Sequence, residues 1–117
     1  MHRYKDLKVW QKAMELAKEV YEITASFPKE EKYGLTSQIN RSVVSVPSNI
    51  AEGAGRNSKN EFVHFLSIAS GSLCELETQL ILSVAFKYFE NKKLEELSER
   101  IKELQNMIFK LQQSLKS

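Results

Sequence analysis

The feature that most constrains this chain is a spacing. Leu94, Leu97, Ile101, Leu104, Ile108, Leu111 and Leu115 follow one another in steps of three and four without a break. That is a seven-residue repeat, the seam of a helix packed as in a coiled coil. Glu95, Glu96, Glu99, Arg100, Lys102, Glu103 and Lys110 lie between the seam positions and read as a solvated face, with pairs such as Glu99–Lys102. Asn91 stands where an N-cap belongs, after a turn-forming stretch from Lys87.

Three earlier segments share the period. The first follows Asp6, read as its N-cap, and repeats at Trp10, Ala13, Met14, Ala17, Val20, Tyr21 and Thr24. Phe27-Pro28 ends it, because the residue before a proline avoids the helical region. The second starts near Leu35, after Gly34, with Ile39, Val43, Val46 and Ile50 inward. Gln38, Arg41, Ser45, Ser48, Glu52 and Arg56 run opposite. Pro47 lies in its middle and removes the bond to the Val43 carbonyl, which predicts a bend. Unbroken periodicity across Pro47 argues against two shorter helices, and the segment stops in Gly53-Ala54-Gly55. Ser58-Lys59-Asn60-Glu61 is a capping box opening the third segment.

That third segment is inward at Phe62, Leu66, Ala69, Leu73, Leu76, Leu80 and Val84, widened by Phe65, Ile68, Ser72, Gln79, Leu82 and Phe86. From Phe62 to Phe86 the only charged side chains are Glu75 and Glu77. A helix on the outside of a lone bundle shows a charged face. This one lacks it, so its outer side is expected to be covered by another subunit. Four such helices with short links pack as an all-α, antiparallel up-and-down four-helix bundle, one domain spanning residues 1–117.

Composition excludes several classes. The lone Cys74 cannot form an internal bridge and, inside an apolar run, reads as a small buried hydrophobe. The start, MHRYKDLKVW, has charges where a signal peptide is apolar, and no apolar run reaches the roughly 20 residues of a membrane span. A cytoplasmic protein with no membrane contact is expected. Net charge is only +2. The positive excess lies at the N-terminus, in Arg3, Lys5, Lys8 and Lys12, which allows a local basic patch but not a uniformly cationic nucleic-acid binder.

Candidate chemistry is sparse. Glu61-Phe62-Val63-His64 matches one Glu-x-x-His element of a di-iron bundle, but such a site needs two elements and two more glutamates, so no metal or cofactor is expected. His2, at the terminus, is expected to be mobile. Ser42, Ser45 and Ser48 have no base nearby in sequence, and helix packing is the better reading. Gly53 and Gly55 precede a helix but match no phosphate-binding pattern. Without a convergent set of titratable groups, no catalytic site is expected. Arg41, Arg56 and Lys59 are suited to phosphate contacts, although from the residues alone an ordinary solvated face with a Glu52–Arg56 pair outweighs that reading.

Several ordered motifs carry a resemblance. They are Asp6-Leu7-Lys8-Val9-Trp10-Gln11-Lys12-Ala13, Phe27-Pro28, Tyr33-Gly34-Leu35, Gln38-Ile39-Asn40-Arg41-Ser42, Ser48-Asn49-Ile50-Ala51-Glu52-Gly53, and the run from Glu61 to Ser72. Together they resemble the bacterial four-helix-bundle proteins encoded in 23S rRNA intervening sequences, themselves similar to the accessory variability proteins of diversity-generating retroelements. The resemblance covers roughly residues 4–90, and the last helix matches only in pattern. It implies a ring-like homopentamer without enzymatic activity. For the retroelement members it implies binding to RNA or DNA and to a reverse transcriptase through basic surfaces. Two functions follow as expectations. One is a homo-oligomeric nucleic-acid-binding accessory protein using Arg3, Lys5, Lys8, Lys12, Arg41, Arg56 and Lys59. The other is an oligomeric scaffold for a protein partner, with no nucleic acid.

Overall fold

The structure is a computed structural model that describes residues 2–116. Its four helices are α1 (Lys8–Thr24), α2 (Leu35–Ala54), α3 (Lys59–Ala85) and α4 (Asn91–Lys116). Short 3-10 turns at Tyr4–Asp6 and Lys29–Glu31 precede α1 and α2. Among the described residues there is no strand. Each helix packs on its neighbours in the chain, and α1 closes on α4, while the diagonal pairs stay apart.

Side-chain contacts fix the directions. On α2 and α3, Ser42 meets Gln79, Ser45 meets Ser72, and Gly53 meets Phe62 and Phe65. On α3 and α4, Ser67 meets Gln112 and Cys74 meets Gln105. On α1 and α4, Lys12 meets Glu103 and Glu19 meets Arg100. In each pair the contacts climb one helix as they descend the other, which is the up-down-up-down arrangement. At about 1.5 Å per residue, the 27 residues of α3 account for most of the 44 Å long axis.

Inward stripes form one core. It contains Val9, Ala13, Leu16 and Val20 of α1 and Ile39, Val43, Val46 and Ile50 of α2. It also holds Phe62, Leu66, Ala69, Leu73, Leu76 and Leu80 of α3, with Leu94, Leu97, Ile101, Leu104 and Ile108 of α4. Burying a side chain of this size contributes about 1.5–3 kcal/mol, so the repeated stripes supply the main driving force. A polar seam crosses the core between α2 and α3. The Ser42 hydroxyl donates to Gln79 Oε1 at 2.9 Å, and Ser45 and Ser72 share a 2.8 Å bond. The serines thus pair with each other and with an amide, not with a histidine.

α2 runs unbroken through the buried Pro47, so the two-helix alternative fails. α3 starts at the expected N-cap, with the Glu61 N–H donating to Ser58 Oγ at 3.3 Å, while the Glu61 carboxylate turns to Arg56 and does not complete the box. Several local expectations need correction. Leu7, with an extended backbone, takes the N-cap position of α1, and the Asp6 carboxylate turns back to Arg3 at 3.4 Å. Asn91 is already helical, because the Glu90 carbonyl accepts from Lys93 and Leu94, and its side chain donates to Glu95. Among the described residues Glu99 and Lys102 form no ion pair, and α4 directs Arg100, Lys93 and Glu103 to α1 instead.

The inward face of α1 is only partly the expected one. Ala13, Val20 and Thr24 are buried as expected, but Val9 and Leu16 complete the face, whereas Met14 and Tyr21 are 42% and 48% exposed. Both stripes are apolar at the same spacing, so periodicity alone could not choose between them. Cys74 is exposed, since it falls one step past the inward Leu73 on the outer side of α3. No helix among the described residues is long and apolar enough to cross a membrane.

Candidate nucleic-acid interface

The chain start is tied down. The His2 N–H donates to the Ala54 carbonyl at 2.8 Å, and the His2 ring lies 5.1 Å from that of Phe62. The expected mobility of His2 is therefore wrong, because it serves as a clasp across the end of α2. That clasp holds the Tyr4–Asp6 turn against α2 on the α1–α2 side, where Tyr4 lies beside Trp10. The start of α1, the end of α2, the start of α3 and the end of α4 all lie at this end of the bundle.

Six of the seven nominated cations gather here. Arg3, Lys5, Lys8 and Lys12 arrive from the chain start, and Arg56 and Lys59 from the α2–α3 loop. The seventh does not. Arg41 lies on the second turn of α2, level with the end of α1, where Thr24 meets Asn40. Fifteen residues of helical rise put it roughly 22 Å along the bundle from Arg56.

The six also differ in how free their charges are. Arg3 pairs with Asp6 at 3.4 Å, and Lys12 with Glu103 at 3.3 Å. Arg56 donates to Glu52 at 3.0 Å, lies 3.9 Å from Glu61 and stacks 4.9 Å over the Phe65 ring. Exposed pairs of this kind are worth only about 0–1 kcal/mol each, so a phosphate can compete for the guanidinium. Lys5, Lys8 and Lys59 are exposed and make no ion pair among the described residues. Lys110 and Lys116 join the same end from α4, a contribution the sequence reading missed. Antiparallel order was the available signal, since it returns the end of the fourth helix to the start of the first.

The other candidates resolve into structure. Glu61 turns to Arg56, and His64 stacks against Phe65. Among the described residues no three His, Cys, Asp or Glu side chains converge as metal ligands. Gly53 belongs to α2 and packs against Phe62 and Phe65 instead of lining a loop.

A protein-family model described as 23S rRNA-intervening sequence protein matches residues 5–110. The chain belongs to that family. No curated protein matches it. Among solved structures, a protein of unknown function of the S23 ribosomal protein family from Bacteroides thetaiotaomicron is similar, with a TM-score of 0.79 at 23% identity. The match covers 89% of this chain and 97% of the other. At that identity it supports the shared fold of this intervening-sequence protein and nothing finer.

Proposed function

We propose that this intervening-sequence protein is a non-enzymatic, homo-oligomeric accessory protein that binds nucleic acid through the basic end of its bundle. The observation that supports the reading is the His2–Ala54 clasp, which ties a lysine-bearing chain start to the end of α2. Lys5, Lys8 and Lys59 then present unpaired charge at one end, with Arg56 and Arg3 exchangeable from weak surface pairs. Such a patch contacts phosphates and reads no bases, so binding is sequence-tolerant and driven by released counterions. Arg41 is left out of this surface by its position.

Self-association is the second part of the reading, in the ring of five that the family resemblance implies. Its support is the charge-poor stretch from Phe62 to Phe86, on which Ile81, Leu82 and Phe86 remain exposed. A ring multiplies the basic ends on one rim and so raises avidity for a long polyanion.

Fluorescence anisotropy with structured RNA and duplex DNA at low salt tests the binding. The logarithm of affinity should fall linearly with that of salt concentration. Charge reversal by Lys5→Glu, Lys8→Glu and Lys59→Glu together should flatten that slope by about three. No shift of either nucleic acid at micromolar protein refutes the proposal.

A further inference from the structure

The basic end of the bundle continues up one flank. After Glu103 the rest of α4, from Leu104 to Lys116, holds Lys110 and Lys116 and no carboxylate. Along α3 no Asp or Glu lies between Glu61 and Glu75. The acids that border this stretch are engaged elsewhere, Glu103 by Lys12 of α1 and Glu61 by Arg56. The flank where α3 meets α4 is thus free of carboxylates in its half nearest the basic end. The α1–α4 side is the opposite, laced with Lys12–Glu103, Glu19–Arg100 and Glu19–Lys93 pairs.

Phe109 stands in that acid-free stretch. The Gln105 amide donates to Cys74 Sγ at 3.4 Å, and the Gln112 amide donates to Ser67 Oγ at 2.9 Å. These bonds mark the edge of α4 that faces α3. Phe109 comes four residues after Gln105 and three before Gln112, so it shares their side of the helix. It is 59% exposed, more than any other phenylalanine of the chain. Between Ser67 and Cys74, at its level, α3 offers Ser70 and Gly71. All four are small, and a Cβ at Gly71 would meet nothing within 4 Å. The faces of the Phe109 ring are left open, and it joins none of the ring pairs among the described residues.

The surroundings of the ring are polar. Gln105, Asn106, Gln112 and Gln113 are its helix neighbours three and four residues away, so four carboxamides frame it. Lys116 lies two turns further toward the basic end on nearly the same line, about 10 Å on. Lys59 opens α3 at that end. Lys59, Lys110 and Lys116 are exposed and make no ion pair among the described residues. The core of a protein–protein contact is depleted of lysine and rich in apolar neighbours, which this ring lacks. A nucleobase fits it better. Its face stacks on the phenyl ring, its edge meets amide donors and acceptors, and its phosphate meets a lysine. Bases in a duplex keep their faces inside the stack, so only an unpaired strand presents them.

We infer that the α3–α4 flank is a track for single-stranded nucleic acid, with Phe109 the platform for one base and Lys59, Lys110 and Lys116 holding phosphates. This rests on the proposed nucleic-acid binding and names the form of nucleic acid taken. Every base has a π-face, so the track tolerates any sequence. Stacking and phosphate contacts do not read the 2′-hydroxyl, so RNA and DNA strands bind alike.

Fluorescence anisotropy at fixed low salt tests this, with oligouridine, oligothymidine and a DNA duplex of equal length as probes and circular dichroism to confirm folding. Phe109→Ala should weaken both single strands roughly 5- to 150-fold, the range of one lost base–aromatic stack, and leave the duplex unchanged. Phe109→Trp should keep wild-type affinity. A 2-aminopurine placed in the oligothymidine should lose fluorescence on binding the wild-type and Phe109→Trp proteins, and keep it with Phe109→Ala. Single-strand affinity unchanged in Phe109→Ala overturns the track while duplex binding leaves the basic end intact. Equal weakening of strand and duplex overturns the stacking role. A light-scattering mass that falls in Phe109→Ala assigns the flank to a second copy and overturns the track as well. Wild-type protein that shifts none of the three probes at micromolar concentration overturns the nucleic-acid reading itself.

Discussion

Gly53→Ala should destabilise the bundle by about 2 kcal/mol, although the same exchange in an ordinary helix stabilises it. An alanine in a helix interior is favoured over glycine by roughly 1 kcal/mol. At Gly53 the added Cβ would lie 2.8 Å from Phe65 Cβ, 2.9 Å from Phe62 Cδ1 and 3.3 Å from the Phe62 carbonyl oxygen. Two of these atoms are fixed by the α3 backbone, and the Phe62 ring is 1% exposed, so none can swing away. α2 and α3 must separate by several tenths of an ångström, and overpacking of that kind costs roughly 1–3 kcal/mol. Three simultaneous contacts argue for the upper end, about 3 kcal/mol, from which the helix gain of about 1 kcal/mol is subtracted. Gly71→Ala is the internal control, because a Cβ there meets nothing. Urea unfolding followed by circular dichroism should give midpoints on opposite sides of the parent, with unchanged m-values. A Gly53→Ala protein as stable as the parent, or more so, would refute the close-approach argument.

Ser42→Ala should cost about 1–3 kcal/mol in the same assay, because it leaves the buried Gln79 carbonyl oxygen without its 2.9 Å donor. Adding Gln79→Leu should recover most of the loss, and a double variant weaker than the single would show that the seam does more than satisfy itself. A pH effect follows from the latch between the two loops at the far end. The Leu35 N–H and the Tyr88 hydroxyl both donate to Glu31, which holds its carboxyl below the usual 4.5. The carboxylate bond to Glu31 holds the Tyr88 hydroxyl above its usual 10.0. Glu31 contributes stability that is fully present above 4.5 and lost as pH falls through its lowered value. Tyr88 contributes stability that is fully present below 10.0 and lost as pH rises through its raised value. Melting temperatures of Tyr88→Phe should therefore approach those of the parent at both extremes, and a constant gap from acid to alkaline pH would sink the latch.

The fold was legible because α2 buries its whole apolar stripe, α3 all of it but Val84 and α4 all of it but Leu111. Leu94 to Ile108 in α4, Ile39 to Ile50 in α2 and Phe62 to Leu80 in α3 all enter the core. The basic end was legible only as a list of cations. Which of them are free depends on partners distant in sequence, such as Glu103 for Lys12, and only the antiparallel packing supplies those. The clasp by His2 carries no local signal either, since a terminal residue donates there from its backbone. Arg41 was nominated by residue type, and its position along the bundle sets it apart from the other cations.

The misplacement on α1 has a physical content of its own. Trp10, Met14, Ala17 and Tyr21 repeat as regularly as Val9, Ala13, Leu16 and Val20, yet only the second set is buried. On α3 and just after it, Ile68, Ile81, Leu82 and Phe86 lie exposed outside a complete inward stripe. A helix needs one apolar stripe to join a bundle, and a second adds exposed apolar area that favours association. Helix α1 carries a second stripe and α3 several exposed apolar residues, whereas α4 turns charged residues to α1. Surplus apolar positions are thus unevenly distributed. They appear on α1 and α3 and are missing along the α1–α4 edge, where Lys12–Glu103 and Glu19–Arg100 pairs face water. Ambiguity about which stripe of α1 faces inward has a physical source, since the exposed stripe is apolar at the same spacing as the buried one, and this uncovered area is what the proposed self-association would bury.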